Sequence, residues 1–351
     1  MAEAKKALLE VKDLQVSFFT PVGEVKAVGG GGGISYSLND GEVMGIVGES
    51  GSGKSVEAYS VMGLLDPPGR VIGGTVEFEG ANILAYSRKE MERIRGNRMS
   101  MIFQNPMESL NPVYTIGNQL AAVLRDHAKD NGGVDVSVTQ AREKALEMLK
   151  LVGITNPERR LNQYPHELSG GMRQRVMIAM GLICEPRLLI ADEPTTALDV
   201  TIQAQILELM KAIQRKTGMA IIFITHNLAV IAEICDTVAV MYGGHIVEQG
   251  TVEDIFYTPV HPYTKGLLRS MPRLDEEKTK RLIPIEGSPI NMLDPNPGCP
   301  FAPRCEFCMK ICVKQHPQKI TVNHGQDAKG FSAAGHRAAC WLVSKKGGNN
   351  P

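Results

Sequence analysis

The residues best suited to chemistry lie in a glycine-rich segment, GESGSGKS at positions 48–55. The segment follows an apolar run and precedes a predicted helix, which is the context of a phosphate-binding loop. Glycines let the backbone curl so that successive N–H groups face phosphate oxygens, and the start of the helix adds positive potential. Lys54 is expected to reach the β- and γ-phosphates, and the Ser55 hydroxyl to ligate Mg²⁺. The predicted backbone donors are Ser50, Gly51, Ser52 and Gly53.

Two acidic residues end a second apolar run, LLIADE at positions 188–193. Asp192 is expected to hold the water shell of Mg²⁺, and Glu193 to act as a general base on water. An apolar run that ends in Asp-Glu is also an ordinary strand end. The phosphate-binding loop earlier in the chain favours the catalytic interpretation.

Periodicity places these motifs on an α/β scaffold. Apolar and polar residues alternate around Leu14, Val16 and Phe18 and again from 34 to 38, which predicts two half-buried strands and an antiparallel start. Short apolar runs further along each precede a helical stretch, so we predict a parallel sheet covered on both faces. These runs lie at 41–48, 188–192 and 220–225.

The strand pattern disappears between about 105 and 186, where apolar residues recur at helical spacing and predict a helical insertion. After Met271 the chain becomes rich in proline and cysteine, which indicates a small C-terminal module, and the last residues are expected to be disordered. The helical spacing is carried by Val138, Ala141, Ala145, Met148 and Val152.

A run of five glycines, 29–33, separates two predicted strands. Ordering so many glycines is entropically costly. A flexible surface loop is favoured over a second phosphate site, because neither a Lys-Ser/Thr pair nor the start of a helix follows the run.

The composition limits the classes of function. The chain has 351 residues, of which 43% are hydrophobic, so about two domains with a sizeable core are expected. Thirty-eight basic residues balance 38 acidic ones, which gives no overall attraction to nucleic acid. The apolar runs are much shorter than the roughly 20 residues that cross a bilayer. No secretory signal is recognisable at the N-terminus, so we expect a cytosolic chain that meets a membrane only through a partner.

A third motif, LSGGMRQR at 168–175, resembles the signature of ATP-binding cassette (ABC) ATPases, and it precedes LLIADE as in that family. The chain is identified as a member over about residues 8–270, which implies ATP and Mg²⁺. Gln104 in MIFQNP resembles the Q-loop residue that contacts Mg²⁺ and water. His226 in ITHN resembles the switch histidine that contacts the γ-phosphate, and Asp199 lies in a segment that resembles the D-loop.

Two positions fit the family less closely. Phe18 stands where an aromatic residue usually stacks on adenine, although a core role competes because it lies on the apolar face of its strand. Asn227 follows the switch histidine where the family usually has aspartate. The five-glycine run is also longer than the usual connection.

The signature has its own chemistry. Ser169, Gly170 and Gly171 precede a predicted helix and would offer a hydroxyl and N–H groups at a positive helix end. The resemblance implies that this end binds the γ-phosphate held by an opposing subunit. ATP would therefore join two such domains head to tail, and hydrolysis would release them.

Longer motifs resemble one branch of the family, the ATPase subunits of dipeptide and oligopeptide importers. The resemblance implies two transmembrane permease subunits, a second homologous ABC ATPase, an extracytoplasmic peptide-binding protein, and a place at the cytoplasmic face of the membrane. The motifs are QNPMESLNP (104–112), YPHELSGGMRQRV (164–176), ADEPTTALDVT (191–201), HPYT (261–264), GCPFAPRC (298–305) and HRAAC (336–340).

Five of the seven cysteines follow residue 290, and four thiolates can hold an iron–sulfur cluster or zinc. The resemblance implies a [4Fe-4S] cluster, with zinc and free thiols as alternatives and Cys308 as an uncertain fifth ligand. Cys184 and Cys235 are predicted to be core residues. The expected cluster ligands are Cys299, Cys305, Cys312 and Cys340.

These expectations combine into one hypothesis. We expect an α/β P-loop ABC ATPase core with an N-terminal antiparallel β part and a helical insertion at 105–186, all within a nucleotide-binding domain at 1–270. A cysteine-containing extension at 271–345 and a disordered tail at 346–351 follow. The alternatives are a soluble ABC ATPase acting on nucleic acid or ribosomes, a redox or metal sensor that uses ATP only to dimerise, and the same machinery importing nickel or another small solute.

Overall fold

The computed structural model describes residues 7–105, 109–128, 135–196, 198–271, 284–322 and 335–346. These residues form two compact units. The helical unit consists of residues 39–42 and the described residues of 85–224; the loop unit consists of 7–38, 43–84 and the described residues from 225 onward. Parts of the predicted helical insertion, most of the predicted tail and parts of the cysteine-containing extension lie outside the described residues.

The strands and helices follow one another along the chain as the apolar runs predict. The strands are β1 Ala7–Thr20, β2 Gly23–Val28, β3 Ile34–Asn39, β4 Val43–Val47, β5 Gly69–Phe78, β6 Ala81–Asn82, β7 Met99–Ile102, β8 Leu188–Asp192, β9 Ala220–Thr225, β10 Thr237–Tyr242, β11 His245–Thr251, β12 Ile320–Thr321 and β13 Arg337–Ala338. The helices are α1 Lys54–Val61, α2 Arg88–Ile94, α3 Ile116–Ala128, α4 Val138–Leu151, α5 Pro157–Arg160, α6 Gly170–Leu182, α7 Val200–Thr217, α8 Leu228–Ile234, α9 Val252–Tyr257, α10 Pro262–Arg269, α11 Lys310–Lys314 and α12 Trp341–Lys346.

The N-terminal part of the loop unit is an antiparallel sheet. Strand β1 pairs antiparallel with β2 and β5, with Val16 opposite Val28 and Leu9 opposite Phe78. Strand β3 also pairs with β1. The side chains of Leu14 and Val16 are fully buried, as the alternation predicts, but Ser17 is buried as well and Phe18 is only half-buried.

Parallel pairing begins at the strand that precedes the glycine-rich loop. In the loop unit, β10 lies parallel to β4 and antiparallel to β11, and the short strands β13 and β12 extend from β11. In the helical unit, β8 lies between β7 and β9, parallel to both. Every residue of β4, β8 and β9 is buried, which explains why these strands read as continuous apolar runs.

Local sequence determines where the helices of the helical unit start. Ser137 caps α4 by accepting a hydrogen bond from the N–H of Gln140, whose side chain in turn accepts one from the Ser137 N–H. Along α4, Ala141, Ala145 and Met148 are buried, whereas Val138 is exposed. The predicted helical insertion is therefore present, with an apolar stripe that starts one turn into the helix.

The five-glycine segment forms a hydrogen-bonded turn between β2 and β3. The N–H groups of Gly32 and Gly33 donate to the carbonyl of Gly29, and the Gly29 N–H donates to the carbonyl of Gly244 at 2.7 Å. Gly29 has a φ of 66°, and a Cβ there would lie 2.3 Å from the carbonyl oxygen of Leu14. Gly31 is exposed, as the surface-loop prediction requires, but the segment is anchored at its start.

Candidate active site

The glycine-rich loop at 48–55 connects β4 to α1 in the loop unit. A Cβ on Gly48 would lie 2.1 Å from the carbonyl oxygen of Met241, and one on Gly53 would lie 2.6 Å from that of Ala27. Gly51 and Gly53 have φ values of 76° and 98°. Both close packing and backbone conformation therefore require glycine here, as a loop that curls around phosphates does.

Lys54 begins α1, and its side chain is almost fully buried. Its Nζ donates hydrogen bonds to the carbonyl oxygens of Gly48 at 2.9 Å and Glu49 at 3.0 Å. The ammonium group therefore lies inside the curl of the loop, at the start of the helix. Ser55 is the next residue of α1, half-buried beside it.

Phe18 and His226 also belong to the loop unit. Phe18 is half-buried in β1, where a Cβ on Gly69 would lie 2.8 Å from its ring. His226 is exposed between β9 and α8. Asn227 caps α8, since its side chain accepts a hydrogen bond from the Ala229 N–H at 2.9 Å. Asparagine therefore performs the capping at the position where the family usually has aspartate.

The helical unit brings together two predicted catalytic residues that are 89 positions apart. The amide nitrogen Nε2 of Gln104 donates to Oε2 of Glu193 at 3.1 Å. Thr196 donates its hydroxyl to the same oxygen at 2.8 Å. Two hydrogen bonds thus orient the carboxylate predicted to act as the general base, and Asp192 lies buried at the end of β8 directly before it.

Sequence analysis did not select Thr196. The available signals were its place within the ADEPTTALDVT motif and its position three residues after Glu193, within reach of a turn. The Thr196 N–H also donates to the carbonyl oxygen of Glu193 at 3.1 Å, which closes that turn.

The signature segment provides an exposed helix start in the helical unit. Ser169 is the N-cap of α6, and its hydroxyl accepts a hydrogen bond from the Met172 N–H at 3.4 Å. Gly170 is exposed, and a Cβ there would meet nothing within 4 Å. Asp199 caps α7 in the same way, by accepting from the Ile202 N–H at 2.9 Å. Asp199 therefore has a structural role, besides the one implied by the resemblance.

The predicted [4Fe-4S] cluster is wrong, and so is the assignment of four cysteines as its ligands. Within the described part of the chain, no group of three or more His, Cys, Asp or Glu side chains could hold a metal ion. Burial raises the pKa of Cys299 to about 12 and that of Cys305 to about 11. All the cysteines are free thiols. The misassigned residues are Cys299, Cys305, Cys312 and Cys340.

Two of these cysteines serve the core instead. Cys299 and Cys312 are buried in a cluster with Tyr242, Tyr263 and Phe301, and the Cys299 N–H donates to the Cys312 carbonyl at 2.7 Å. Cys235 packs against the same cluster, as its core prediction requires. The spacing that resembled a ligand set therefore reflects packing of the C-terminal segment, which comprises the described residues 284–322 and 335–346, onto β10 and α10.

No helix within the described ranges is both long enough and apolar enough to cross a bilayer. This finding agrees with the short apolar runs of the sequence.

Comparison with known proteins shows two family matches and relatives that cover most of the chain. Residues 32–196 match the ABC transporter domain, and residues 247–312 match the C-terminal region of oligopeptide/dipeptide transporters. The dipeptide transport ATP-binding protein DppD of Bacillus subtilis (strain 168) is 52% identical over 97% of this chain and 96% of that protein. The oligopeptide transport ATP-binding protein OppD of the same organism is 53% identical over 90% of this chain and 86% of that protein.

A solved structure shows a similar fold. The ATP-binding cassette MJ0796, in a dimeric post-hydrolysis state bound to ADP and Pi, has a TM-score of 0.61 and 25% identity, covering 70% of this chain and 98% of that chain. The predicted α/β core with an N-terminal antiparallel part and a helical insertion is thereby confirmed.

Proposed function

Because this chain belongs to the ABC transporter family, in the branch of the dipeptide and oligopeptide transport ATP-binding proteins, we propose that it is the ATP-hydrolysing subunit of a peptide importer. The observation that carries this proposal is the likeness to DppD, which extends over 97% of the chain and includes the C-terminal region. A soluble ABC ATPase would not need that region.

Binding of ATP falls to the glycine-rich loop. N–H groups from Ser50 to Gly53 and the ammonium group of Lys54 hold the phosphates, and Phe18 stacks on the adenine. The oxygen atoms of Ser55, Gln104 and Asp192 suit Mg²⁺, because this cation takes hydroxyl, amide and carboxylate oxygens. When bound, Mg²⁺ neutralises charge on the β- and γ-phosphates.

Hydrolysis requires a base that orients and deprotonates water. Glu193 accepts the proton of the attacking water, while Gln104 and Thr196 keep its carboxylate in one orientation. His226 contacts the γ-phosphate as it leaves. This assignment agrees with the exposed position of His226 and the buried position of Asp192.

Coupling to transport requires a second ATPase. Ser169, Gly170 and Gly171 bind the γ-phosphate held by the partner ATPase, and Asp199, in the segment that resembles the D-loop, is a further nucleotide-binding residue. Dimerisation driven by ATP moves two permease subunits, to which an extracytoplasmic binding protein delivers the peptide. The chain therefore acts at the cytoplasmic face of the membrane, and the predicted domain division at 270 is retained as part of this proposal.

The importer assignment can be tested in cells that carry this chain at its natural locus. We expect Lys54→Ala to abolish uptake of a radiolabelled dipeptide or pentapeptide and to leave nickel uptake unchanged. Loss of nickel uptake with normal peptide uptake would keep the ATPase chemistry and overturn the peptide cargo.

The nucleotide assignment has a separate test on the purified protein. Lys54→Ala removes the buried ammonium group from the loop, so we expect ATP binding and hydrolysis to fall at least tenfold, on the order expected for one lost charge-assisted phosphate contact. Lys150→Ala is a suitable control because Lys150 forms an exposed ion pair with Glu158. Equal ATP turnover in both variants would contradict the assignment.

A further inference from the structure

An arginine from the C-terminal segment contacts the phosphate-binding loop. Arg304 lies 255 residues after Glu49 in the sequence, and its Nη1 and Nη2 atoms donate to the two oxygens of the Glu49 carboxylate at 2.6 and 3.2 Å. The Arg304 side chain is 5% exposed and that of Glu49 is 26% exposed. A two-pronged pair with so little exposure holds both side chains in one geometry.

The guanidinium group is itself fixed in place. Its Nε donates to the carbonyl oxygen of Glu286 at 2.9 Å, and Nη2 also donates to that of Ile285 at 3.1 Å. The group lies over the ring of Tyr242, 5.7 Å from its centroid. These contacts hold the Arg304 side chain in one rotamer. The position of the C-terminal segment therefore determines the position of the Glu49 carboxylate.

Glu49 is held at three points, two of which involve its main chain. Its N–H donates to the hydroxyl of Tyr263 at 2.9 Å, and its carbonyl oxygen accepts a hydrogen bond from Nζ of Lys54 at 3.0 Å. The third is the pair with Arg304. Tyr263 is fully buried. Side chains from the C-terminal half of the chain therefore fix the Glu49 backbone, whose carbonyl oxygen accepts the hydrogen bond from Lys54.

The charge of Glu49 provides a second reason for the pair. An unneutralised carboxylate in a loop that binds a triphosphate repels the ligand. Arg304 cancels that charge and leaves Lys54 to face the phosphates.

We propose that Arg304 is a positioning residue for the ATP site: it acts through Glu49 to set the geometry and charge of the phosphate-binding loop, so that the C-terminal segment determines ATP affinity. This inference rests on the proposed function, because it assumes that the loop binds ATP. It assigns to the C-terminal segment an effect on ATP affinity that does not depend on a metal ion bound to that segment.

The test is a titration of the full-length chain with a fluorescent ATP analogue and Mg²⁺, together with ATP turnover. For Arg304→Met we expect the dissociation constant and KM to rise about tenfold, within the range of coupling between sites, with kcat changed much less. Arg304→Lys keeps the charge but not the two-pronged geometry, so it should show a smaller rise in KM and it guards against failure of the methionine variant to fold.

The control is Arg269→Met. Arg269 belongs to the same unit and pairs with Glu306 at 2.8 Å, but both side chains are about half exposed. This variant should bind ATP as the unaltered chain does. A loss of thermal stability in Arg304→Met with unchanged KM would show a merely structural role and would overturn the inference.

A double-mutant cycle tests whether Arg304 acts through Glu49. In a Glu49→Gln background, Arg304→Met should change ATP affinity little, because the partner carboxylate is already gone. Additive losses would overturn this route. If the unaltered chain and Arg269→Met fail to bind ATP, the proposed function fails; if both bind ATP and Arg304→Met binds equally well, only the present inference fails.

Discussion

Glu193 combines a strained backbone with an oriented carboxylate. Its φ of 47° lies in the left-handed region, which costs a non-glycine residue about 1–3 kcal/mol. The N–H of Glu193 donates to the carbonyl oxygen of Ile224 at 2.9 Å and holds the backbone in place. Such strain is commonly retained where a side chain must point in one direction, and here Gln104 and Thr196 fix that direction.

Replacement of Glu193 by glutamine separates binding from hydrolysis. An amide keeps the size of the side chain but cannot accept a proton from water, so we expect kcat to fall by about 10²- to 10⁴-fold with ATP affinity retained. Phosphate release and the nucleotide that copurifies with the variant measure the two quantities. Unchanged turnover would support the sensor alternative, in which ATP serves only dimerisation.

Thr196 permits a finer test of the same carboxylate. Thr196→Val removes the hydroxyl that donates to Glu193, so we expect kcat to fall roughly fivefold to tenfold, equivalent to about 1 kcal/mol for one hydrogen bond, with KM unchanged. Thr217→Val is the control, because that hydroxyl donates at 2.9 Å to the backbone oxygen of Ile213 within α7. Equal kcat values for the two variants would mean that Thr196 does not orient the base.

Among the helices and strands, the sequence predicts those elements that are determined by a local pattern of capping and apolar residues. Helix α4 is predictable because Ser137 and Gln140 cap its start and an apolar stripe follows. The fully buried strands are predictable as apolar runs. Thr196 was missed because threonine after a strand end has many ordinary roles, and only the folded turn places its hydroxyl against Glu193.

Contacts between segments that are distant in the sequence cannot be predicted from such local patterns. Tyr263 and Arg304 contact Glu49 across 214 and 255 residues of sequence, and no periodicity connects them. The cysteine spacing failed for the opposite reason. A ligand set and a set of packed thiols can share one spacing, and only burial and geometry distinguish them.

Helix α10 depends on a histidine cap, which makes stability depend on pH. Nδ1 of His261 accepts a hydrogen bond from the Tyr263 N–H at 3.1 Å, and burial lowers the pKa of His261 to about 4. The unfolded chain binds a proton below about pH 6.5, whereas the folded chain does so only near pH 4. The free energy of unfolding should therefore fall as pH decreases through this window, by up to about 1.4 kcal/mol per pH unit.

His261→Asn tests this dependence, because asparagine can cap the helix without titrating. Urea unfolding at pH 7, 6 and 5 should show a shallower loss of stability in this variant. His166→Asn, at an exposed position, is the control and should retain the original slope. Identical slopes for both variants would contradict the role assigned to His261.

For the whole protein, the free thiols make a prediction about its metal content. A preparation made without oxygen should be colourless, contain substoichiometric iron and zinc, and yield seven titratable thiols after unfolding. The reason is that, among the residues that the structure describes, no group of three or more His, Cys, Asp or Glu side chains could hold a metal ion. A brown protein with stoichiometric iron and acid-labile sulfide would contradict the structure.

The pair between Glu49 and Arg304 also has a consequence for synthesis of the protein. The ribosome completes the glycine-rich loop early, but the arginine that fixes it is translated 255 residues later. At about 5–20 residues per second, that separation corresponds to a delay of roughly 13–50 s. If Arg304 positions the loop as proposed, a nascent chain carries its phosphate-binding loop without its final geometry until Arg304 emerges, and full affinity for ATP is acquired only after that point of translation.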